Sequence, residues 1–157
     1  MKNFVCPTWD AIESYCESAF LFMRYEGYKP DCVIALLRGG VVPARLFSDY
    51  FHVNLDFSVL DVKLYNGIGT TNDEVHVSEF YGNIKGKNIL IVDDIWDSGR
   101  TMRAVLKYFS TYETSNIKTC TVYLKENAEG KPDYYAEIAK EDEWVVFPWE
   151  KYEMGLK

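Results

Sequence analysis

Hydrophobic residues along this chain fall into two rhythms. Trp9, Ile12, Cys16, Ala19, Phe20 and Met23 recur at helical spacing. Thr8 can cap that helix, Asp10 and Glu13 suit its positive end, and Gly27 should terminate it. The run 32–37 is wholly apolar and short, which predicts a strand buried on both faces. Arg38-Gly39-Gly40 breaks it, and Pro43 suits the first turn of a second helix carrying Leu46, Phe47, Tyr50 and Phe51. Residues 59–65 predict another strand. Residues 66–83 are polar, contain glycine and lack helical periodicity, so they read as a long connection of the kind that forms lids and binding loops. A second buried strand is expected at 88–92. From Thr101 a helix shows Met102, Val105, Leu106 and Phe109 on one face. A third inner strand at 119–124 and a short one at 144–147 complete the pattern. Helices alternating with apolar strands predict an α/β fold with a mostly parallel sheet flanked by helices. The absence of repeats and linkers predicts one domain over 1–157.

Composition narrows the field. At 157 residues and 48% hydrophobic, the chain can bury a substantial core. A net charge of -7 argues against non-specific nucleic-acid binding, which depends on lysine and arginine. It leaves open a small anion held by a local nest of amides. Cys6, Cys16, Cys32 and Cys120 show no CxxC spacing and read as reduced thiols. The first residues do not resemble a signal peptide, and no apolar run approaches the ~20 residues of a membrane helix, so a soluble cytoplasmic protein is expected. With 12 Tyr, 9 Phe and 4 Trp, aromatics exceed what one core should absorb. Tyr25, Tyr28, Tyr108, Tyr112, Tyr134, Tyr135 and Tyr152 lie outside the core periodicities and suggest a subunit interface.

The candidate chemistry lies where the second buried strand ends. Two adjacent carboxylates, Asp93 and Asp94, are followed by Asp97 and then by Ser98, Gly99, Arg100 and Thr101 at the start of a helix. Open parallel sheets bind ligands beyond the carboxyl ends of their strands. A small glycine-containing turn at a helix N-terminus presents free amides and hydroxyls to a phosphate. Carboxylates beside a phosphate site make sense if they accept bonds from ligand hydroxyls or share a Mg2+ with the ligand's own oxygens. Two other phosphate motifs fail on spacing. Gly82 and Gly86 are one residue too close for a P-loop, with Asn88 where a hydroxyl should be, and Gly67-Ile68-Gly69 has Asn72 at the third glycine position of a dinucleotide fingerprint.

The segment Val92-Asp93-Asp94-Ile95-Trp96-Asp97-Ser98-Gly99-Arg100-Thr101 resembles the signature of type I phosphoribosyltransferases. The resemblance implies a Rossmann-like phosphoribosyltransferase fold with a flexible loop and a small base-binding hood. It implies that Asp93 and Asp94 bind the ribose hydroxyls and contribute to Mg2+ binding, and that Asp97 through Thr101 wrap the 5′-phosphate. Arg38, Gly39 and Gly40 resemble the family's diphosphate loop, which carries an unusual peptide geometry before its first glycine. Leu64-Tyr65 stands where purine-type members often have Ser-Tyr at the start of the flexible loop, so Tyr65 keeps the aromatic contact. Lys125, Trp144 and Val145 resemble the base site of 6-oxopurine enzymes of the xanthine-guanine and hypoxanthine type. There the lysine donates to O6, the aromatic covers the ring and the next backbone groups meet the 2-position.

The implied substrates are phosphoribosyl diphosphate and a purine base, with Asp97 as the catalytic group near the base's N7. The implied assembly is a homodimer or homotetramer. His52 and His76 fall in no matched motif. The alternative class is a nucleotide-sensing regulator with the same fold and no turnover.

Overall fold

The structure, a computed structural model, describes residues 3–51, 55–65 and 74–155. Eight strands and three helices follow in the order β1 (Asn3–Val5), α1 (Trp9–Tyr25), β2 (Cys32–Leu37), α2 (Val41–Phe51), β3 (Asp56–Tyr65), β4 (Glu74–Val77), β5 (Asn88–Trp96), α3 (Arg100–Phe109), β6 (Asn116–Lys125), β7 (Tyr134–Ala139) and β8 (Glu143–Val145). Six strands form one sheet in the order β4-β3-β2-β5-β6-β7. All its pairs are parallel except β3 with β4. β1 and β8 pair separately, in parallel. The expected α/β class with a mostly parallel sheet is the one found.

The unbroken apolar runs are explained by two cores, one on each face of the sheet. In β2, Val33 and Ala35 join the side packed by α1 and α2, while Cys32, Ile34 and Leu36 join the side packed by α3. In β5, Leu90 and Val92 face the first side, and Ile89 and Ile91 the second. Alternate residues point to opposite faces, so a central strand must be apolar throughout. Helix α1 contributes Ile12, Cys16, Ala19 and Met23 of the predicted stripe, with Phe20 at its edge and Trp9 exposed, and Thr8 accepts from the Ala11 amide at 3.1 Å. Helix α3 contributes Met102, Val105 and Phe109. Among the described residues, no helix is long and apolar enough to cross a membrane.

Several expectations need correction. Strand β3 begins at Asp56, three residues before the apolar pattern, because its backbone pairs with β2 from Cys32↔Asp56 onward. The stretch read as a connection contains β4, whose Glu-Val-His-Val alternation pairs it antiparallel to the end of β3. Residues 66–73 of that stretch lie outside the described residues. Strands β1 and β7 were not anticipated. Tyr28 and Tyr134 belong to the core: Tyr28 Oη donates to Ile89 O at 2.6 Å, and Tyr134 Oη donates to Glu26 at 2.9 Å. Tyr108 and Tyr112 pack against the second core, with their hydroxyls 2.9 Å apart, and Tyr135 packs there too. Only Tyr25 and Tyr152 of the seven are largely exposed, so the tyrosine count does not itself require an interface.

The β2–α2 turn lies against the end of β5. A Cβ added at Gly40 would stand 2.3 Å from Val92 O and 2.8 Å from Leu36 O, both backbone atoms of central strands. Gly40→Ala should therefore destabilise the fold by about 1–3 kcal/mol, the usual range for overpacking, as measured by urea unfolding. A midpoint equal to that of the parent chain would show that the turn can give way.

Candidate active site

The parallel strands β2, β5 and β6 point their carboxyl ends at one rim, and the candidate residues gather there. β5 runs past its apolar stretch through Asp93 and Asp94 to Trp96, in register with β6 at Asp93↔Thr121 and Trp96↔Leu124. The chain then turns at Gly99, the N-cap of α3, with φ at 77°. That left-handed conformation favours glycine, and a Cβ there would also lie 2.5 Å from Trp96 Nε1 and 2.6 Å from Glu129 O. Gly99 has no side chain with which to cap α3, and Ser98 Oγ accepts from Arg100 N at 3.4 Å. The first amides of α3 lie at the positive end of the helix dipole. Asp97 and Ser98 are exposed beside them.

Side chains from within and beyond the motif hold this turn. Trp96 Nε1 donates to Glu129 O at 3.2 Å. Arg103 donates to the same carbonyl at 2.9 Å and to Ser98 O at 3.3 Å, and pairs with the Glu129 carboxylate at 3.0 Å. Arg103 and Glu129 went unnoticed in the sequence. The available signal was Arg103 on the first turn of α3, but its partner comes from the distant β6–β7 connection.

The glycine loop packs directly over the carboxylates. A Cβ at Gly39 would stand 2.0 Å from Asp94 Oδ2, so a side chain there would have to push the Asp94 carboxylate aside. The Leu37–Arg38 peptide is cis. Gly40 N donates back to Leu36 O at 2.9 Å, and Arg38 pairs with Glu153 at 2.8 Å. Two cavities of about 220 Å3 each adjoin this rim and share Asp94, Ile95 and Asp97. One is bounded by Asp93, Ser98, Gly99 and Thr101; the other by Lys125, Trp144, Val145 and Glu150. A larger cavity, about 890 Å3, opens near Gly27, Asp31 and Leu55, ahead of β2 and β3, and contains none of the sequence-predicted site residues.

Trp144 and Val145 of β8 line the second cavity, and β8 pairs with β1, Phe4↔Trp144 and Val5↔Val145 in register. Val146 N donates to Val5 O at 2.8 Å. Val145 is buried and Trp144 is exposed. Lys125 Nζ donates to the carbonyls of Lys140 at 2.9 Å, Glu141 at 3.3 Å and Glu143. The sequence did not signal these hood contacts, since each acceptor is a backbone oxygen. Arg100 is exposed at the start of α3. The side chain of Tyr65 lies outside the described residues, as does His52, and His76 sits on β4.

The paired carboxylates carry an electrostatic penalty. Burial, and then the charge of Glu150, push Asp94 up to about 6. Burial and the neighbouring Asp94 raise Asp93 as well. Asp94 N donates to Asp93 Oδ1 at 3.0 Å, which offsets part of this cost. Among the described residues, no group of three or more His, Cys, Asp or Glu is arranged to hold a metal.

A model of the phosphoribosyl transferase domain matches residues 8–153. The chain belongs to this family. The phosphoribosyltransferase is 32% identical to the xanthine-guanine phosphoribosyltransferase of Cereibacter sphaeroides over 151 residues, covering 91% of this chain and 84% of the relative. It is 30% identical to the enzyme of the same name from Ruegeria sp. over 154 residues, covering 91% and 83%. The crystal structure of a purine phosphoribosyltransferase from Pyrococcus horikoshii superposes with a TM-score of 0.81 at 28% identity, over 94% of this chain and 93% of that one. The Helicobacter pylori xanthine-guanine-hypoxanthine phosphoribosyltransferase gives 0.83 at 19% identity over 98% and 97%, a likeness of fold.

Asp94 also makes the stability of this phosphoribosyltransferase depend on pH. Its folded value of about 6 lies above the ordinary carboxyl value of 3.8, so the folded state holds the extra proton between them. This contribution to stability falls as pH rises through that window and stays constant above it. Asp94→Asn should therefore gain about 2–3 kcal/mol relative to the parent between pH 4 and pH 7.5. Urea unfolding of both proteins at the two pH values measures the difference. A difference that does not change with pH would mean that Asp94 ionises as an ordinary surface acid.

Proposed function

We propose that this protein is a 6-oxopurine phosphoribosyltransferase. It joins a purine base to the ribose phosphate of phosphoribosyl diphosphate, giving a nucleoside 5′-monophosphate and diphosphate, a purine-salvage reaction suited to the cytoplasm. The observation that carries this reading is the pair of adjoining cavities that share Asp94, Ile95 and Asp97. One has the helix N-terminus expected of a phosphate cradle; the other has Lys125, the indole of Trp144 and Val145.

The 5′-phosphate would take the amides and hydroxyls of Ser98, Gly99, Arg100 and Thr101. The carboxylates of Asp93 and Asp94 would accept from the ribose hydroxyls. The two also fit a Mg2+ completed by substrate oxygens, because they are adjacent hard oxygen donors whose mutual repulsion a cation would relieve. When bound, that ion would neutralise charge on the departing diphosphate. Arg38 and the amides of Gly39 and Gly40 would hold the same group. As the bond from C1′ to the diphosphate oxygen breaks, positive charge builds at C1′ and a base nitrogen forms the new bond there. Asp97, beside N7, would accept or stabilise the proton the base gives up. Tyr65 would stand at the start of the closing loop.

Lys125 supports a 6-oxo base. Its ammonium can only donate, and its three donors go to the carbonyls of Lys140, Glu141 and Glu143, so the O6 of a base would take the place of one of these acceptors while a second donor would find no partner there. A 6-amino group placed there leaves two donors facing, a clash that can discriminate by roughly 10⁴-fold. Family membership also supports a homodimer or homotetramer, for which light scattering should give a mass well above the 18.2 kDa of one chain.

Diphosphate release with guanine, xanthine, hypoxanthine and adenine tests the reading. Turnover with the first three and little with adenine is expected; binding without release would identify a sensor. Asp97→Asn should fold normally and lose ~10²–10⁴-fold in kcat, the usual cost of a removed general base. An unchanged rate would reduce Asp97 to a turn residue. Lys125→Ala should raise KM for the base far more than for phosphoribosyl diphosphate. Equal effects would make the lysine a support of the hood alone.

A further inference from the structure

Arg38 already holds an anion supplied by the chain itself. Both carboxylate oxygens of Glu153 reach Arg38 Nη2, at 2.8 and 3.0 Å, across 115 residues of sequence. The pair is exposed, with side-chain accessibilities of 83% and 58%. Such pairs add little to stability. The fold does not need this contact, yet it neutralises the one cation of the glycine loop. Glu153 also lines the cavity that contains Lys125 and Trp144, so the same carboxylate touches both halves of the rim.

We propose that Glu153 is an internal competitor that sets affinity for the diphosphate group. The inference rests on the reading of Arg38 as a diphosphate ligand. Glu153 offers one negative charge, and both its oxygens meet a single nitrogen instead of the paired fork a guanidinium prefers, so the contact is one a better-matched anion can displace. An incoming anion must give Arg38 more than this contact does. A diphosphate, carrying several charges and backed by the amides of the glycine loop, does so. Glu153 thus lowers affinity, by one common factor, for every ligand that must displace it from Arg38.

Calorimetric titration of the full chain with inorganic diphosphate in the presence of Mg2+ tests this, with KM for phosphoribosyl diphosphate as the second readout. Glu153→Gln keeps the size and removes the charge. It should tighten diphosphate binding and lower that KM by about two- to five-fold, the scale of one exposed ion pair. In the Arg38→Ala background, Glu153→Gln should have no effect, because the competition no longer exists. An unchanged or weakened affinity in the otherwise native chain would overturn the proposal. So would a gain that persists in the Arg38→Ala background, which would reduce Glu153 to one negative charge among many. Arg38→Ala alone should weaken binding. If it does not, the loop assignment fails, and the proposal with it; if it does while Glu153→Gln changes nothing, only the competitor role is lost.

Discussion

The rim depends on a steric constraint: the turn after β2 must lie on the end of β5 with nothing between them. Gly39 rests on the Asp94 carboxylate and Gly40 on the backbone of Val92 and Asp93, at distances that leave no room for a Cβ. Because β2 and β5 are neighbours in the sheet, parallel pairing brings their carboxyl ends together. Helix α2 starts directly after the glycines, and Ala44 N bonds to Gly40 O at 3.0 Å. The loop is therefore anchored from both sides.

That closeness has an electrostatic cost. Two adjacent carboxyls at a desolvated rim, with Glu150 nearby, favour partial protonation. The site is prepared for a partner that supplies hydroxyl donors or positive charge, and it is least comfortable empty. The cations of the rim are in the opposite condition. Arg38 is paired with Glu153, and Lys125 is surrounded by hood carbonyls. Acids without enough donors and bases already supplied with acceptors describe a site whose bonding is rearranged when it fills.

The sequence displayed the central architecture well, for a physical reason. A strand buried on both faces must be apolar throughout, so β2 and the first half of β5 stood out, and so did the stripe of α1. The strand-turn-helix from Asp93 to Thr101 was equally legible, because its residues are consecutive. Edges were harder to read. β7 buries only Tyr134 and Ala139, with Glu137 and an exposed Ile138 between them breaking the alternation, and β1 is three residues long. β4 was hidden in a polar stretch where only a four-residue alternation marked it. The supports of the site were least legible: Arg103 with Glu129, Lys125 with the hood backbone and Arg38 with Glu153 are all contacts between distant segments. Many of their acceptors are backbone atoms, which no residue type announces.

The two adjoining cavities are built from very different lengths of chain. The residues around Asp93 to Thr101 close on themselves within a single strand-turn-helix. The small sheet that supplies Trp144 and Val145 to the other cavity joins Asn3 to Glu143, nearly the full span of the molecule. Local contacts form early and long-range pairings late. On a ribosome, the strand-turn-helix of Asp93 to Thr101 would emerge whole, while β1 would wait for the last strand before its partner existed. On the function proposed above, the molecule would thus complete its phosphate-binding half well before its base-binding half.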